Sequence, residues 1–556
     1  MSRRGKKRVS RGDEGRRAGR GEAGRPSGRA GTPGPGLARV EWGVAILLSV
    51  IVILLHIGFF THAGPLWRDE VTSVDFAAMP SMSAIQEALP YDSFPLLSTM
   101  LLRGWIAVAG SGDQAVRAWG LVVGIALLGA LWVTSRLLGC RTPMIALALF
   151  GLNALAIRAT GSIRPYGVGM VFIVLALGLL WRAIAAPTRW RFVAAAGAAI
   201  LSVQCMYPNA FLLFAMCLAG GVVALLAGKR GTAGAVVLVG VAAAASLLPY
   251  WPSIQVARGW SALNDSATTL SQLVRMLFEA LESGNAVVRA YWIAMVVLSC
   301  AIAVSMMRSR TQYPQSPQSQ RARADVALFS AIFIVTSVAV FLAALHATHL
   351  PTQPWYYIPL MAAIAPALDA SVCAITRRTV QRIARVALAI LIAMAALGGW
   401  RLVLERRTNV DLVASTLEKQ AIPGDLILID PWYLGVTFQR YYHGKTEWTT
   451  LPAIEDLRIH RYDLLKRKMA SSDPIGPLLE KATRALQSGH RVWLVGGLPQ
   501  PGANGSPPAL PPAPRSIHGW QSRPYLESWG DQAANVLASH AERSERVLAA
   551  APGVSP

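Results

Sequence analysis

The sequence predicts a mainly α-helical protein that crosses a membrane about eleven times and carries a small α/β domain at its C-terminal end. A low charge content, a series of long apolar runs and the sidedness of the basic residues predict this fold class. Of 556 residues, 53% are hydrophobic and 15% are charged, with a mean hydropathy of +0.41. A soluble domain carries about 25% charged residues. The composition therefore excludes a soluble cytosolic enzyme and a disordered protein.

Residues 1–39 form a basic segment, with twelve Lys and Arg against three acidic residues. The segment has almost no large apolar side chains, so it is predicted to be a disordered cytoplasmic tail. The formal net charge of the chain is +23, but most other basic residues lie in short loops between apolar runs. This pattern is typical of membrane topology, so we expect contact with membrane lipids and no nucleic-acid partner.

Eleven apolar runs predict the membrane spans, because about 20 residues of helix cross the hydrocarbon core. The first run, 42–60, is too long for a signal-peptide core and is predicted to remain as an anchor. The other runs lie at 117–138, 143–157, 165–186, 192–206, 210–227, 232–252, 288–307, 326–346, 354–375 and 385–403. The segment 95–110 is shorter and contains Arg103, which favours a helix on the outer surface.

The positive-inside rule supports this count. With the tail inside, the inner loops hold fifteen Lys and Arg, opposed only by Asp325. If 95–110 spanned the membrane, this excess would lie outside. We therefore predict a multi-pass domain at 40–403 in the cytoplasmic (inner) membrane, with the N-terminus inside and the 61–116 loop outside.

Residues 404–556 are predicted to form a small extracytoplasmic α/β domain. An amphipathic helix at 410–417 precedes apparent strands at 425–430 and 491–495. No G-x-G-x-x-G pattern is present, so nucleotide binding is not predicted. The five cysteines form no C-x-x-C pair, which indicates neither a disulfide framework nor a zinc site.

The strongest candidate site is the run Arg68-Asp69-Glu70, about six residues beyond the first span. Carboxylates at a membrane surface are costly unless they are solvated or functional, and one of them could act as a general base. Arg68 could hold a phosphate or orient the acid pair. The structural alternative is a solvated surface ion pair.

A second candidate is Arg158 and Arg164, which lie at the outer end of a span where the positive-inside rule disfavours them. Guanidinium groups bind phosphate through paired hydrogen bonds, so they indicate an anion site; snorkelling to headgroups is the alternative. Asp92 could bind sugar hydroxyls or cap a helix. Tyr356 and Tyr357 could stack on a sugar or lipid, or belong to an interfacial aromatic belt.

Together these motifs resemble bacterial members of glycosyltransferase family 39, which are related to protein O-mannosyltransferases and to the lipid A aminoarabinose transferase. The matching stretches are WRDE (67–70), PLLSTMLLRGW (95–105), GDQAVR (112–117) and SIRPY (162–166), with WYYIPL (355–360) similar to a later family segment. The resemblance covers roughly residues 40–400. Phe94 stands where the family often has a first proline of a pair, and Trp355 stands where it has an arginine.

The resemblance implies the GT-C architecture and a hexosyl- or pentosyltransferase that uses a polyprenyl-phosphate sugar and inverts the anomeric carbon. It implies that Asp69 is the base with Glu70 beside it, and that Arg164, Arg158 and Tyr166 surround the leaving phosphate. The acceptor would be a lipid, protein or glycan of the cell envelope. A transporter or flippase of lipid-linked sugars and a non-enzymatic scaffold remain alternatives.

No metal ligand set is predicted from the sequence. The acidic pair could bind a divalent cation through its carboxylate oxygens, but no further ligands accompany it. No cofactor is therefore assigned.

Overall fold

The computed structural model describes residues 35–258, 269–312, 317–348, 352–375, 378–500, 522–548 and 554. Most of the predicted tail, residues 1–34, lies outside these ranges. The chain is mainly helical with one small parallel sheet, as the sequence predicts.

The described helices fall into a long bundle followed by shorter helices around the sheet. Those up to residue 258 are α1 (Pro35–His62), α2 (Arg68–Ala77), α3 (Met82–Ala88), α4 (Leu96–Ala109), α5 (Asp113–Leu137), α6 (Met144–Ala146), α7 (Ala154–Gly161), α8 (Tyr166–Ala185), α9 (Arg189–Val203), α10 (Asn209–Leu226), α11 (Arg230–Ala245) and α12 (Trp251–Arg258). Those after it are α13 (Leu270–Glu282), α14 (Ala286–Gln312), α15 (Gln318–Thr348), α16 (Ile358–Cys373), α17 (Arg378–Ala396), α18 (Val410–Gln420), α19 (Leu434–Tyr441), α20 (Tyr462–Ala470), α21 (Gly476–Gln487) and α22 (Ser522–His540). Short 3₁₀ or π segments lie at Leu89–Tyr91, Leu147–Gly151, Leu248–Tyr250, Pro354–Tyr357 and Leu397–Leu404.

Within the described ranges, nine helices are long and apolar enough to cross a membrane. They are Gly36–His62, Asp113–Leu137, Tyr166–Ala185, Asn209–Leu226, Arg230–Val256, Ala286–Ser309, Gln318–Thr348, Pro354–Cys373 and Thr379–Leu404. Two more predicted runs are also helical. One is α9, of 15 residues, and the other is a broken pair. The count is therefore close to the eleven spans predicted.

The broken pair is Met144–Gly151 followed by Ala154–Gly161, bent by 80°. Asn153 caps the second half by accepting a hydrogen bond from the backbone of Ala156 at 2.9 Å. Gly120 of α5 fits against the end of this half, because a Cβ at Gly120 would lie 2.0 Å from the backbone oxygen of Gly161. This close approach brings the turn that carries Arg164 to the top of α5.

Segment 95–110 forms α4, which has 14 residues and is too short to span a bilayer on its own. It packs on α2 and on α5. Arg103 of α4 donates to the backbone oxygens of Ala77 and Met79 at 2.8 and 2.6 Å. The charge that argues against a span therefore helps to hold α2, which carries Asp69.

The C-terminal part contains a three-stranded parallel sheet in the order β2-β1-β3. The strands are β1 (Leu426–Asp430), β2 (Glu447–Thr450) and β3 (Val492–Gly496). The sequence predicts the first and third within one residue, but it misses β2, which is short and half exposed. Four apolar residues of β1 are buried on both faces, as expected for the central strand of a parallel sheet.

Cys140 and Cys373 are joined by a disulfide in this structure. The expectation that the cysteines form no disulfide framework is therefore wrong for this pair. The two residues are 233 positions apart, and spacing along the chain gives no signal for a contact made by helix packing.

Candidate active site

The site forms where α1 ends and α2 begins. Gly64 turns the chain with a φ of 71°, a conformation that favours glycine. The backbone N–H of Trp67 then donates to the Glu70 carboxylate at 2.9 Å, which fixes the start of α2. As a result the two neighbouring carboxylates differ: the Asp69 side chain is 21% exposed, and that of Glu70 is fully buried.

Glu70 faces α5 and not the space in front of Asp69. Its Oε1 lies 2.8 Å from Nη1 of Arg117 and 3.7 Å from Nη1 of Arg407. Arg117 also donates to the backbone oxygen of Pro65 at 2.8 Å. Burial raises the pKa of Glu70, but the two arginines outweigh it and the pKa is lowered. Glu70 is thus an ionised anchor that positions the start of α2.

Asp69 carries a carboxylate that is surrounded by cations but remains open to a further donor. Its Oδ1 lies 3.3 Å from Nε of Arg68. Among the described residues no group donates it a hydrogen bond; its side-chain contacts are the ion pair with Arg68 and the His460 ring at 3.9 Å. Burial raises the pKa of Asp69, but Arg164, followed by His460, Arg68 and Arg407, outweighs burial, and the pKa is lowered. The carboxylate is therefore ionised at neutral pH.

Arg164 lies beside Asp69 on the turn before α8. Its Nη1 is 3.3 Å from the backbone oxygen of Asp69 and 3.4 Å from Oγ of Ser73. Its guanidinium carbon lies 4.7 Å from the centre of the Phe94 ring. Burial by itself lowers the pKa of Arg164, but the carboxylates of Asp69 and Asp92 outweigh burial, and the pKa is raised above its ordinary value. Its Nε is buried without a hydrogen-bond partner among the described residues, which leaves one N–H of a charged group unused.

Asp92 lies close enough to Arg164 for their charges to interact. Its Oδ1 accepts a hydrogen bond from the backbone of Ser93 at 2.8 Å. Burial raises its pKa, and Arg164 only partly offsets this. The alternative that Asp92 caps α4 is wrong, because Pro95 occupies the capping position.

His460, from the C-terminal domain, faces the Asp69 carboxylate. Its Nε2 lies 3.9 Å from Oδ1 of Asp69, and its Nδ1 lies 3.1 Å from Oγ1 of Thr72. The Thr72 hydroxyl also lies 3.1 Å from the backbone oxygen of Arg68. Either ring nitrogen of His460 can carry the proton, and when Thr72 donates to Nδ1 it is Nε2–H that faces the Asp69 carboxylate.

The pKa of His460 is lowered to about 4 by burial, so the ring is neutral at pH 7. A neutral imidazole adds no positive charge beside the Asp69 carboxylate at pH 7. A hydroxyl or amine of a bound molecule can donate to that carboxylate.

Aromatic side chains pack against Arg68 and His460. The guanidinium of Arg68 lies 4.4 Å from the ring of Tyr433 and 4.9 Å from that of Trp67. Tyr462 stacks on His460 with ring centres 6.0 Å apart, and the buried Trp432 contacts both edge-on. These contacts hold Arg68 and His460 beside Asp69.

The other predicted site residues divide into two groups. Tyr166 and Tyr356 lie near the centre, since both interact electrostatically with Asp69 and Arg164. Tyr357 instead is fully buried in the bundle, with its ring 6.0 Å from that of Phe341. Its hydroxyl is 3.4 Å from that of Thr352, so the structure does not bring it to Asp69.

Arg158 lies with the anchoring group and not with Arg164. It interacts electrostatically with Glu405 and Glu70. The Arg407 guanidinium is also close enough to interact electrostatically with Arg158. Arg158 and Arg164 therefore face different acidic groups.

Sequence reasoning does not find His460, Arg117 or Arg407 as parts of this site. Arg117 lies within the GDQAVR stretch, at the predicted outer end of a span. This position is the one sequence signal that could have placed it in the site. His460 and Arg407 lie beyond the last span, and nothing in their local sequence indicates contact with residues 69 and 70.

A polar cavity of about 260 Å³ lies behind the Glu70–Arg117 pair. Asp113, Asp411, Arg117 and Tyr441 contribute polar groups to its walls. The Tyr441 hydroxyl accepts from the backbone of Leu66 at 2.6 Å and donates to Asp113 at 2.5 Å. The cavity thus marks the joint between the C-terminal domain and the turn before α2.

No protein-family model and no curated protein matches the chain. The structure is similar to solved structures of ArnT, the lipid A aminoarabinose transferase, from Cupriavidus metallidurans. For ArnT bound to undecaprenyl phosphate, the identity is 12%, the TM-score is 0.46, and 75% of this chain and 87% of that chain are covered. For apo ArnT the identity is 11%, the TM-score is 0.49, and the coverages are 78% and 92%.

A crystal structure of the Archaeoglobus fulgidus oligosaccharyltransferase tethered to an acceptor peptide is also similar. The identity is 12%, the TM-score is 0.43, and 81% of this chain and 69% of that chain are covered.

Proposed function

We propose that this protein is a membrane glycosyltransferase. It would move a sugar from a polyprenyl-phosphate donor to an acceptor at the outer face of the cytoplasmic membrane. The observation that supports this most is the position of the Arg164 guanidinium 3.3 Å from the backbone oxygen of Asp69, beside the Asp69 carboxylate at one end of an apolar helical bundle. A carboxylate can accept the proton of the acceptor, and a neighbouring guanidinium can stabilise the leaving phosphate. A sugar transfer needs both.

The phosphate of the donor would bind Arg164. The buried Nε–H of Arg164 has no hydrogen-bond partner in the described part of the chain, and a guanidinium matches phosphate oxygens with paired, charge-assisted hydrogen bonds. As the sugar–phosphate bond breaks, negative charge develops on the leaving phosphate, and a preorganised cation stabilises it. Arg68 and Arg407 add positive charge at the same place. The lipid tail would lie along the apolar helices.

Asp69 would accept the proton of the acceptor. The acceptor hydroxyl or amine donates to the Asp69 carboxylate, and its lone pair attacks the anomeric carbon from the face opposite the phosphate. The proton passes to Asp69, the new glycosidic bond forms, and the phosphate leaves with the electron pair, which inverts the anomeric carbon. The His460 ring, whose Nε2 lies 3.9 Å from Oδ1, would help to orient the same acceptor group.

Replacement of Asp69 tests this proposal. We expect Asp69→Asn to lower the transfer rate in membranes about 100-fold or more, which is the usual size of general-base catalysis. Asp75→Asn is the matched control, because Asp75 lies on the same helix but faces Arg440 at 4.0 Å. Full transfer by a folded Asp69→Asn protein would exclude Asp69 as the base.

One observation favours the transporter alternative. Broken helices are typical of transporters, and α6 and α7 form such a break. If the protein moved lipid-linked sugars without chemistry, reconstituted vesicles would show translocation of the intact donor, and Asp69→Asn would leave its chemical form unchanged.

A further inference from the structure

A second cluster of reactive groups lies at the opposite end of the bundle from Asp69. Cys140, in the loop after α5, and Cys373, at the end of α16, meet there with Cα atoms 5.9 Å apart. The ligand atoms of Cys140, Cys373 and Asp369 all lie within 4.8 Å of one another. In the described part of the chain, this is the one group of three metal-ligating side chains so close together.

Asp369 holds a carboxylate that lacks a full set of partners. Its side chain is fully buried. Oδ1 accepts from Nε of Arg385 at 3.1 Å, and the backbone amides of Ile145 and Ala146 also interact with the carboxylate. Oδ2 is buried without a hydrogen-bond partner among the described residues. An unpaired buried oxygen is costly, so this arrangement indicates a missing cation or donor.

The charges around Asp369 already balance without an added ion. Arg385 Nη1 lies 2.9 Å from Oε1 of Glu41, and Arg382 Nε lies 3.2 Å from Oε2 of Glu41. Two guanidinium groups therefore offset two carboxylates. A bound ion must bring its own charge compensation, and two thiols that lose their protons supply it for a divalent cation.

The position of the cluster predicts whether its two cysteines are reduced thiols or a disulfide. Arg136, Arg141, Arg382 and Arg385 lie around it in the sequence, and basic residues predict the cytoplasmic side. The cytosol keeps thiols reduced, and cysteine pairs there bind metals more often than they form lasting disulfides.

We propose that Cys140, Cys373 and Asp369 form a structural zinc site when the disulfide that joins the two cysteines in this structure is reduced to two thiols. Zinc prefers thiolate, imidazole and carboxylate ligands in a tetrahedral arrangement. One Zn²⁺ would bind both thiolates and Oδ2 of Asp369, with water as the fourth ligand. The two thiol protons are released on binding, so the net charge of the buried group does not change. The ion would tie the loop after α5 to the end of α16.

Metal analysis of the full chain tests this site. The protein would be purified in detergent under a thiol-free reductant, and its zinc measured by mass spectrometry. We expect about one zinc per chain in the native protein and in Cys217→Ser and Cys300→Ser, whose cysteines lie elsewhere in the bundle. In Cys140→Ser and Cys373→Ser we expect at least a ten-fold lower content.

Two further measurements keep the proposal testable if a variant does not fold. Cobalt added to the native protein should give thiolate-to-metal charge-transfer absorption. Alkylation of Cys140 and Cys373 should be slow until a chelator is added, whereas Cys217 should react at the same rate with and without it. Fast alkylation of both residues in the metal-loaded native chain, or a disulfide between them in protein from intact cells, would overturn the assignment.

Discussion

Nη1 of Arg164 lies 3.3 Å from the backbone oxygen of Asp69. The guanidinium therefore contacts the same turn of α2 that presents the Asp69 carboxylate. Because the two residues come from different elements of the bundle, this contact fixes a candidate anion site and a candidate base relative to each other. The proposed chemistry depends on that fixed relation.

The Glu70–Arg117 pair predicts a large stability effect. In Glu70→Gln the buried Arg117 guanidinium loses its charge partner at 2.8 Å. Breaking a buried ion pair from one side costs about 3–5 kcal/mol. We expect the free energy of unfolding, from denaturant titration in detergent, to fall by that amount.

The exposed pair of Arg275 and Glu279 provides the control for this experiment. Its atoms are 3.9 Å apart, and the Glu279 side chain is 46% exposed. Such pairs are worth about 0–1 kcal/mol, so Glu279→Gln should change little. Equal effects of the two substitutions would show that Glu70 is not the anchor of α2.

His460 predicts a pH dependence of stability. Burial lowers its pKa to about 4, below the ordinary value of 6.5. Between these values the unfolded chain takes up a proton at this residue that the folded chain does not. The free energy of unfolding should therefore decrease as the pH falls from 6.5 towards 4, by at most about 1.4 kcal/mol per pH unit.

His460→Gln should remove this part of the pH dependence, measured as the difference between variant and native unfolding curves across the same pH window. His443→Gln, at an exposed position of the same domain, serves as the control. A native and a His460→Gln protein with parallel pH profiles would contradict the buried, neutral state of His460.

Tyr441 predicts a link between the C-terminal domain and the site. Its hydroxyl contacts Leu66 and Asp113 at 2.6 and 2.5 Å. Tyr441→Phe leaves the Leu66 amide and Asp113 without this partner, which costs about 1–3 kcal/mol. The turn before α2 should loosen, so transfer activity should fall together with stability.

The neighbouring Tyr442 supplies a matched control, because its hydroxyl makes only a 3.4 Å contact to Thr446 inside the domain. Tyr442→Phe should leave transfer activity close to native. Normal activity and stability of Tyr441→Phe would argue against a role of the domain in positioning the site.

The sequence predicts the bundle well because apolar runs and basic loops report directly on membrane crossing. It also identifies Asp69, Asp92 and Arg164 as candidate site residues, because charged residues next to long apolar runs are easy to recognise. It does not separate Asp69 from Glu70. Which carboxylate is buried depends on how α2 packs on Arg117, and that contact spans 47 residues of chain.

The part played by the C-terminal domain is not visible in the sequence. His460 lies 391 positions beyond Asp69, and its local pattern is that of an ordinary loop. Tyr357 shows the opposite case, in which the sequence suggests a site residue that the structure does not bring there. Tyr356 faces the site, whereas the Tyr357 side chain is buried in the core. Cys140 and Cys373 likewise meet only through helix packing.

A double-mutant cycle on Asp69 and Arg164 tests the central claim most directly. Transfer rates would be measured for the native protein, Asp69→Asn, Arg164→Gln and the double variant, all confirmed as folded. If both residues act on one donor and acceptor, their effects are coupled, and the double variant should lose little more than the worse single variant. Effects that multiply fully in the double variant would show that the two residues work independently and would contradict a shared active site.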